Sequence, residues 1–165
     1  MNYIFENLET KHRNEVMDIF NHYIENSFAA YPEKKVPIDF FDIMLEKANG
    51  YPAYAVINPT NKRVVGFCYL KPHYLISTFK ETAEITYFID PLEVGKGIGK
   101  QALSLLESKG REMGIRQILA SIASRNQQSI IFHIKNGFKE CGRFTNVIKK
   151  NNTRFDIVWM QKEIT

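Results

Sequence analysis

The sequence predicts an α+β fold, with a mixed, mostly antiparallel central sheet and helices packed on it. Three observations carry that expectation. Two β-rich runs flank a polar turn early in the chain, a strand, glycine turn, helix and strand follow in its centre, and two further strand patterns close it.

Taken in order, Tyr3 to Leu8 alternates apolar and polar residues as a half-buried strand does, and Val16, Ile19, Phe20 and Tyr23 then recur at helical spacing. Ser27 to Pro37 carries two prolines and no period, which reads as a loop with room for function. Ile38, Phe41 and Leu45 restore a helical face that ends at Asn49-Gly50. Tyr54 to Ile57 and Val64 to Leu70 enclose Asn58-Pro59-Thr60-Asn61-Lys62, the pattern of an antiparallel hairpin. Glu84 to Ile89 is the next strand. Ile98, Ala102, Leu105, Leu106 and Met113 then trace one helix stripe, and Ile115 to Ile122 reads as a buried strand, so this region is a βαβ unit with parallel pairing. Ser129 to Asn136 is helical and stops at Asn136-Gly137, after which Phe138 to Phe144 and Phe155 to Met160 are closing strands. With no repeat, low-complexity tract or linker in 165 residues, residues 1–165 read as one domain.

Composition narrows the function class. A hydrophobic content of 44% with 13% aromatics marks an ordered globular chain, and no run approaches the roughly 20 apolar residues that span a bilayer. Residues 1–6 lack the basic start and apolar run of a secretory signal, and two cysteines are too few for a disulfide framework, so a reducing cytoplasm is expected. The net charge of +4 is spread among acids, apart from Lys149-Lys150 and the glycine turn, so neither a nucleic-acid nor a membrane partner is expected. His12, His22 and His73 show no metal-ligand spacing with the acids, and no metal is expected. Cys68 and Cys141 lie in apolar strand-like runs without an activating sequence, and read as buried structural thiols rather than acyl-carrying nucleophiles.

The central unit carries the chemistry. Gly95, Gly97 and Gly99 permit positive φ and close backbone approach, so consecutive N–H groups can converge on an anion where the next helix presents its own unpaired donors, with Lys96 and Lys100 adding charge. The alternative for these glycines is an ordinary tight turn. A nucleoside-triphosphate loop would need a glycine where Val94 stands and a hydroxyl in place of Gln101. A dinucleotide fold would need Gly-x-Gly-x-x-Gly and an acid after the following strand, which instead reaches Ser121-Ile122-Ala123-Ser124. Both readings fail on spacing.

Tyr87-Phe88-Ile89-Asp90-Pro91, then Gly95-Lys96-Gly97-Ile98-Gly99-Lys100, and further on Asn126, Ser129, His133 and Gly137-Phe138, resemble the GCN5-related N-acetyltransferases. Phe20 to Ile24, Phe28 to Tyr31 and the tail from Val147 to Gln161 are similar to the phosphinothricin and methionine sulfoximine acetyltransferase group within it. The resemblance implies a parallel pair splayed in a V, helices on both sheet faces, and acetyl-CoA as cosubstrate for acetylating an amine. It implies that Tyr87, Phe88 and Ile89 pair through their backbones with the pantetheine arm, that Gly95, Lys96, Gly97, Ile98, Gly99 and Lys100 hold the pyrophosphate, and that Asn126 holds the arm as well. Asn is also a good helix N-cap, and both jobs can coexist. Where the family usually carries Arg or Gln this chain has Val94, which removes one side-chain contact and leaves the backbone cradle.

Amide formation needs a neutral amine, so a base must take a proton from the acceptor, and the departing thiolate benefits from an acid. By resemblance Glu84 is the base and His133 the acid; their other readings are a strand-end carboxylate in a salt bridge and a helix histidine hydrogen-bonded locally. Phe28, Tyr31 and Tyr74 are candidates for the wall of the acceptor pocket, or for ordinary core packing. Relatives that bind amino-acid analogues hold the acidic end with arginine before the catalytic strand, whereas residues 70–82 contain none; Lys71, His73 and Lys80 are the substitutes available. The acceptor that the resemblance implies is the primary amine of a small molecule, an amino acid or analogue, with protein amino groups, polyamines, antibiotics or a non-catalytic CoA-binding role as alternatives. The family's pairing habit, through strand edges or C-terminal segments, adds a possible homodimer with the late strands as candidate surfaces.

Overall fold

The computed structural model describes residues 2–165; Met1, the first residue of the expected domain range, lies outside them. Seven strands form one sheet in the order β1-β2-β3-β4-β5-β7-β6. These are β1 (Ile4–Asn7), β2 (Ala53–Ile57), β3 (Val64–Pro72), β4 (Thr82–Ile89), β5 (Gln117–Ala123), β6 (Lys139–Lys150) and β7 (Thr153–Glu163). Four helices accompany them: α1 (Arg13–Asn26), α2 (Phe40–Lys47), α3 (Ile98–Glu112) and α4 (Gln127–Lys135). All strand pairs are antiparallel except β4 with β5, so the expected mixed sheet and its crossover helix are both present.

Alternation along the strands sorts two apolar layers onto opposite sheet faces. Phe67 and Tyr69 of β3 pack with Val16, Phe20 and Ile24 of α1 and with Phe41 and Met44 of α2. Cys68 and Leu70, one residue out of phase, pack with Ala102, Leu103 and Leu106 of α3. Helices cover both faces, which explains why Val64 to Leu70 is buried without interruption rather than alternating.

Several local expectations shift. On α3 Leu103 joins the buried stripe, while Met113 caps the helix end and is exposed. Ile38 lies ahead of α2 and is exposed, and Met44 takes the buried position instead. Cys141, expected to be buried, is exposed on β6, because that strand ends the sheet and has only β7 beside it; Cys68 is buried as expected. β6 and β7 are joined by Asn151 and Asn152 at φ 49° and 60°, a two-residue turn of the kind that suits a twisted hairpin.

The parallel pair does not run its full length. β4 and β5 are in register only at Thr82 with Gln117, Ala83 with Ile118 and Glu84 with Leu119. Beyond that point β4 stays paired to β3 as far as Ile89, and β5 to β7 as far as Ala123. The strands therefore part after Glu84, leaving one backbone edge of each without a strand partner.

Candidate active site

The parting of β4 and β5 opens a cleft of about 1080 Å³ that passes between the two faces of the sheet. Alternation decides what faces each side. Glu84, Thr86 and Phe88 point to the α1 and α2 face, while Ile85 and Tyr87 belong to the layer under α3.

Glu84 stands at the apex of the gap. Lys71 is directly opposite it on β3, so the two side chains share a face, and Lys71 Nζ lies 2.9 Å from Glu84 Oε2. His73 Nδ1 lies 2.9 Å from the other oxygen, Oε1. Both oxygens of a half-buried carboxylate are thus held by donors, which orients it beside the cleft. The salt bridge that the sequence offered as an alternative to catalysis is present, and so is the cleft position. Lys71 and His73, read as substitutes for an acid-binding arginine, are occupied by Glu84, and Lys80 does not line the cleft.

His133 projects from α4 on the opposite side and is 3% exposed. Its Nδ1 is 2.7 Å from the Ser129 carbonyl oxygen, which can only accept, so Nδ1 carries the proton and Nε2 accepts from the Tyr87 hydroxyl. Burial holds the imidazole below its ordinary value of 6.5, with the Ser129 bond opposing, and burial pushes the Tyr87 hydroxyl well up. A ring kept neutral by folding must be charged in acid, so His133 destabilises the fold progressively as pH falls below about 6.5 and contributes no such effect above it. The thermal midpoint should accordingly drop between about pH 7 and pH 5, with a shallower drop in His133→Gln; equal slopes in both proteins would rule the assignment out.

At the far end of β4, Asp90 accepts from the Leu92 amide at 2.9 Å and starts a short turn, Pro91–Glu93, that leads into the glycines. Gly95 and Gly97 sit at φ 86° and 84°, in the left-handed region, where a Cβ would meet no atom but would strain the backbone. Gly99 is needed for a different reason, since a Cβ there would approach the Phe132 ring at 3.3 Å. Gly97 is the N-cap of α3, and the first helical bond runs from Gln101 N to Gly97 O, so the amides of Ile98, Gly99 and Lys100 precede the helical ladder. These donors and Lys100 face the cleft; Lys96 does not line it and pairs with Glu93 at 3.0 Å.

The remaining expected residues divide in the same way. Phe88 forms the cleft wall and packs on Phe20, Tyr23 and Phe67, while Tyr23 donates its hydroxyl to the Ile89 carbonyl at 2.6 Å. Asn126 caps α4 by accepting from the Ser129 amide at 3.2 Å and keeps its Nδ2 donors beside the cleft. Phe28 and Tyr31 line the α1 side, Phe28 against Phe155 and Tyr31 with its hydroxyl 3.1 Å from Ser121 Oγ. Tyr74 is not in the wall: it is exposed and packs on His73 and Phe79.

Two cleft-related residues escaped the sequence reading. Arg125 places its guanidinium 5.1 Å from the centre of the Phe28 ring and has no ion-pair partner among the described residues. Lys150, read only as half of a basic pair, is fully buried and hydrogen-bonds the loop that carries Phe28 and Tyr31. Among the described residues no group of three or more His, Cys, Asp or Glu side chains forms a metal cluster, and no helix is long and apolar enough to cross a membrane.

The fold that frames this cleft is shared with known proteins. The chain is 26% identical over 151 residues to the L-amino acid N-acyltransferase MnaT of Escherichia coli strain K12, covering 90% of this chain and 87% of that protein. It is equally similar, 26% over 151 residues with the same coverage, to the L-methionine sulfoximine/L-methionine sulfone acetyltransferase of Salmonella typhimurium. An N-acetyltransferase structure from Staphylococcus aureus Mu50 superimposes with a TM-score of 0.91 at 27% identity, covering 100% of both chains. The fold is also that of a Sinorhizobium meliloti phosphinothricin acetyltransferase in complex with AcCoA, at a TM-score of 0.92 and 23% identity over 99% of this chain and 89% of that one. The model of the acetyltransferase (GNAT) domain matches residues 7–159, and the chain belongs to that family of N-acetyltransferases.

Proposed function

We propose that this protein transfers the acetyl group of acetyl-CoA to the primary amine of a small molecule, an amino acid or an analogue such as phosphinothricin or methionine sulfoximine. The observation that carries the reading is the gap between β4 and β5, with Glu84 on one sheet face at its apex and the glycine turn and His133 on the other. Acceptor and thioester enter from opposite faces and meet where the strands part. The amides at the start of α3 hold the pyrophosphate, as a helix N-terminus favours an anion, and the unpaired β4 edge takes the pantetheine arm as an added strand. Asn126 Nδ2 supports the same arm.

Glu84 takes the ammonium proton, directly or through water, and the freed amine attacks the thioester carbonyl. His133, neutral with its proton on Nδ1, has none on Nε2 to give and orients the Tyr87 hydroxyl, so the proton taken up by the departing thiolate is assigned to Tyr87, whose phenolate is then reprotonated from solvent. On the acceptor side, Arg125 above Phe28 is the cation left to meet a carboxylate, because Lys71 and His73 are taken up by Glu84. That favours amino acids over polyamines. The free thiols of Cys68 and Cys141 fit a reducing cytoplasm. The edge strand β6, with exposed Phe144 and Val147, is the surface assigned to a second copy, which sedimentation of the purified protein checks.

The test is thiol release from acetyl-CoA in the presence of α-amino acids, phosphinothricin, methionine sulfoximine, spermidine and a peptide amine, with the acetylated product identified by mass. Turnover confined to the amino-acid set supports the reading; turnover with spermidine or peptide alone, or none with any amine, refutes it. Placing Val at 97 forces a branched side chain into the left-handed region, a cost of about 1–2 kcal/mol, so Gly97→Val should weaken acetyl-CoA binding roughly 5- to 30-fold by calorimetry. Unchanged affinity would remove the glycine turn from the cofactor site.

A further inference from the structure

Lys150 ends β6, next to the Asn151-Asn152 turn, and is 0% exposed. Its ammonium group has three donors, and each meets a backbone carbonyl: Ile24 O at 2.7 Å, Ser27 O at 2.8 Å and Ala30 O at 2.6 Å. Among the described residues no carboxylate pairs with it. The acid whose charge acts on it is Glu33, whose Oε1 accepts from the Asn151 amide at 2.9 Å. Burial lowers the lysine's pKa, and Glu33 opposes that shift. A buried cation without an ion-pair partner is costly, and a methionine of similar volume would fill the space without that cost.

What the charge achieves is a fixed chain path. Ile24 is in the last turn of α1, where carbonyls have no helical partner and the helix dipole is negative, so a cation is favoured there. Ser27 and Ala30 lie one and two turns of chain further on, in the segment that lines the acceptor side of the cleft. Drawing three carbonyls spaced three residues apart onto one nitrogen curls residues 24–30 around it and turns Phe28 and Tyr31 toward the cleft. Phe155, five residues after Lys150, supports Phe28 from below, so the β6–β7 hairpin holds this loop by both charge and packing. Asn21 clamps the far end, donating to the Val36 carbonyl at 3.2 Å and accepting from its amide at 2.9 Å.

We propose that Lys150 is a positioning residue for the acceptor: by gathering the carbonyls of Ile24, Ser27 and Ala30 it holds the Phe28–Tyr31 wall against the cleft, and so sets acceptor affinity without touching acceptor or cofactor. The proposal rests on the acetyltransfer reading above for its kinetic consequence, and on the loop geometry alone for its conformational one. Lys150→Met keeps the volume and removes all three donors. With the best acceptor of the wild type, it should raise the acceptor KM roughly tenfold, since displacements of about 1 Å in a substrate wall have effects of that order or more, while the acetyl-CoA dissociation constant stays within about twofold. Chymotryptic cleavage after Phe28 should accelerate by a similar factor in the native protein. Lys150→Gln, one atom shorter and with two donors, should lie between the wild type and Met, and is read alone if the Met variant does not fold. If the wild type acetylates no amine, the function reading falls while the Phe28 cleavage rate still decides the clamp. Wild-type acceptor KM and cleavage rate in the folded variants, or equal losses for both substrates, would overturn the positioning role.

Discussion

Glu84→Gln should lower kcat by about 10²- to 10⁴-fold at saturating acetyl-CoA, the range that a positioned proton acceptor contributes. The substitution keeps the shape of the side chain and removes its basicity. The amide oxygen can keep the Lys71 Nζ contact while the NH₂ donates to His73 Nδ1 in its Nε2-protonated tautomer, each partner lying 2.9 Å from the carboxylate in the native protein, so the loss reports basicity rather than a broken contact. The acetyl-CoA dissociation constant should stay near the wild-type value, because the glycine turn and α3 lie at the opposite end of β4. Thiol release and calorimetry on the same preparation separate the two. A kcat within about threefold of wild type would leave Glu84 as a structural ion-pair partner only, and would move the search for a base to Tyr31 and to solvent.

Phe67→Ala should destabilise the fold by about 3–5 kcal/mol, the usual cost of emptying a buried aromatic site. Phe67 is 1% exposed in the middle of β3 and stacks on Phe88, with centroids 5.6 Å apart. Phe88 is in turn packed edge-on by Phe20 at 5.3 Å and tilted against Tyr23 at 5.3 Å. Neighbouring strands hold the backbone on both sides, so the cavity has little room to collapse. Against a typical margin of about 5–15 kcal/mol, this is a large share of the total stability. Urea unfolding should show a lower midpoint with an unchanged slope; a loss below about 1 kcal/mol would mean that the layer repacks. Because Phe88 is cleft wall, acceptor turnover should fall in the folded fraction too.

Local pattern suffices at the glycine turn and at the start of α4. Glycines at 95 and 97 ahead of a helix permit a left-handed turn at little cost, and the turn is there. Asn126 ahead of a helical stripe reads as a cap and is one. Alternation and helical spacing located the strands and helices to within a few residues, with shifts at ends where caps and neighbours compete, as at Met113 and Ile38, except that β6, expected to stop at Phe144, runs on to Lys150 through its hairpin pairing with β7. Cys141 is exposed against expectation because a strand-like run does not reveal whether its strand is central or at the edge of the sheet.

The chemistry-bearing contacts are of another kind. Glu84 meets Lys71 and His73 only through the β3–β4 register, Tyr87 meets His133 across 46 residues, and Lys150 meets Ile24 across 126. What the sequence by itself determined is the set of elements, their order, the glycine turn and the family, since each depends on neighbours within a few residues or on a motif at fixed spacing. Only the tertiary structure decided where β4 and β5 part, that Glu84 and His133 face the cleft from opposite sides, that Tyr74 stays outside it, and that a buried lysine gathers the carbonyls of Ile24, Ser27 and Ala30. These depend on sheet order and on which faces come to pack together, and a spacing rule carries no information about partners brought together by folding.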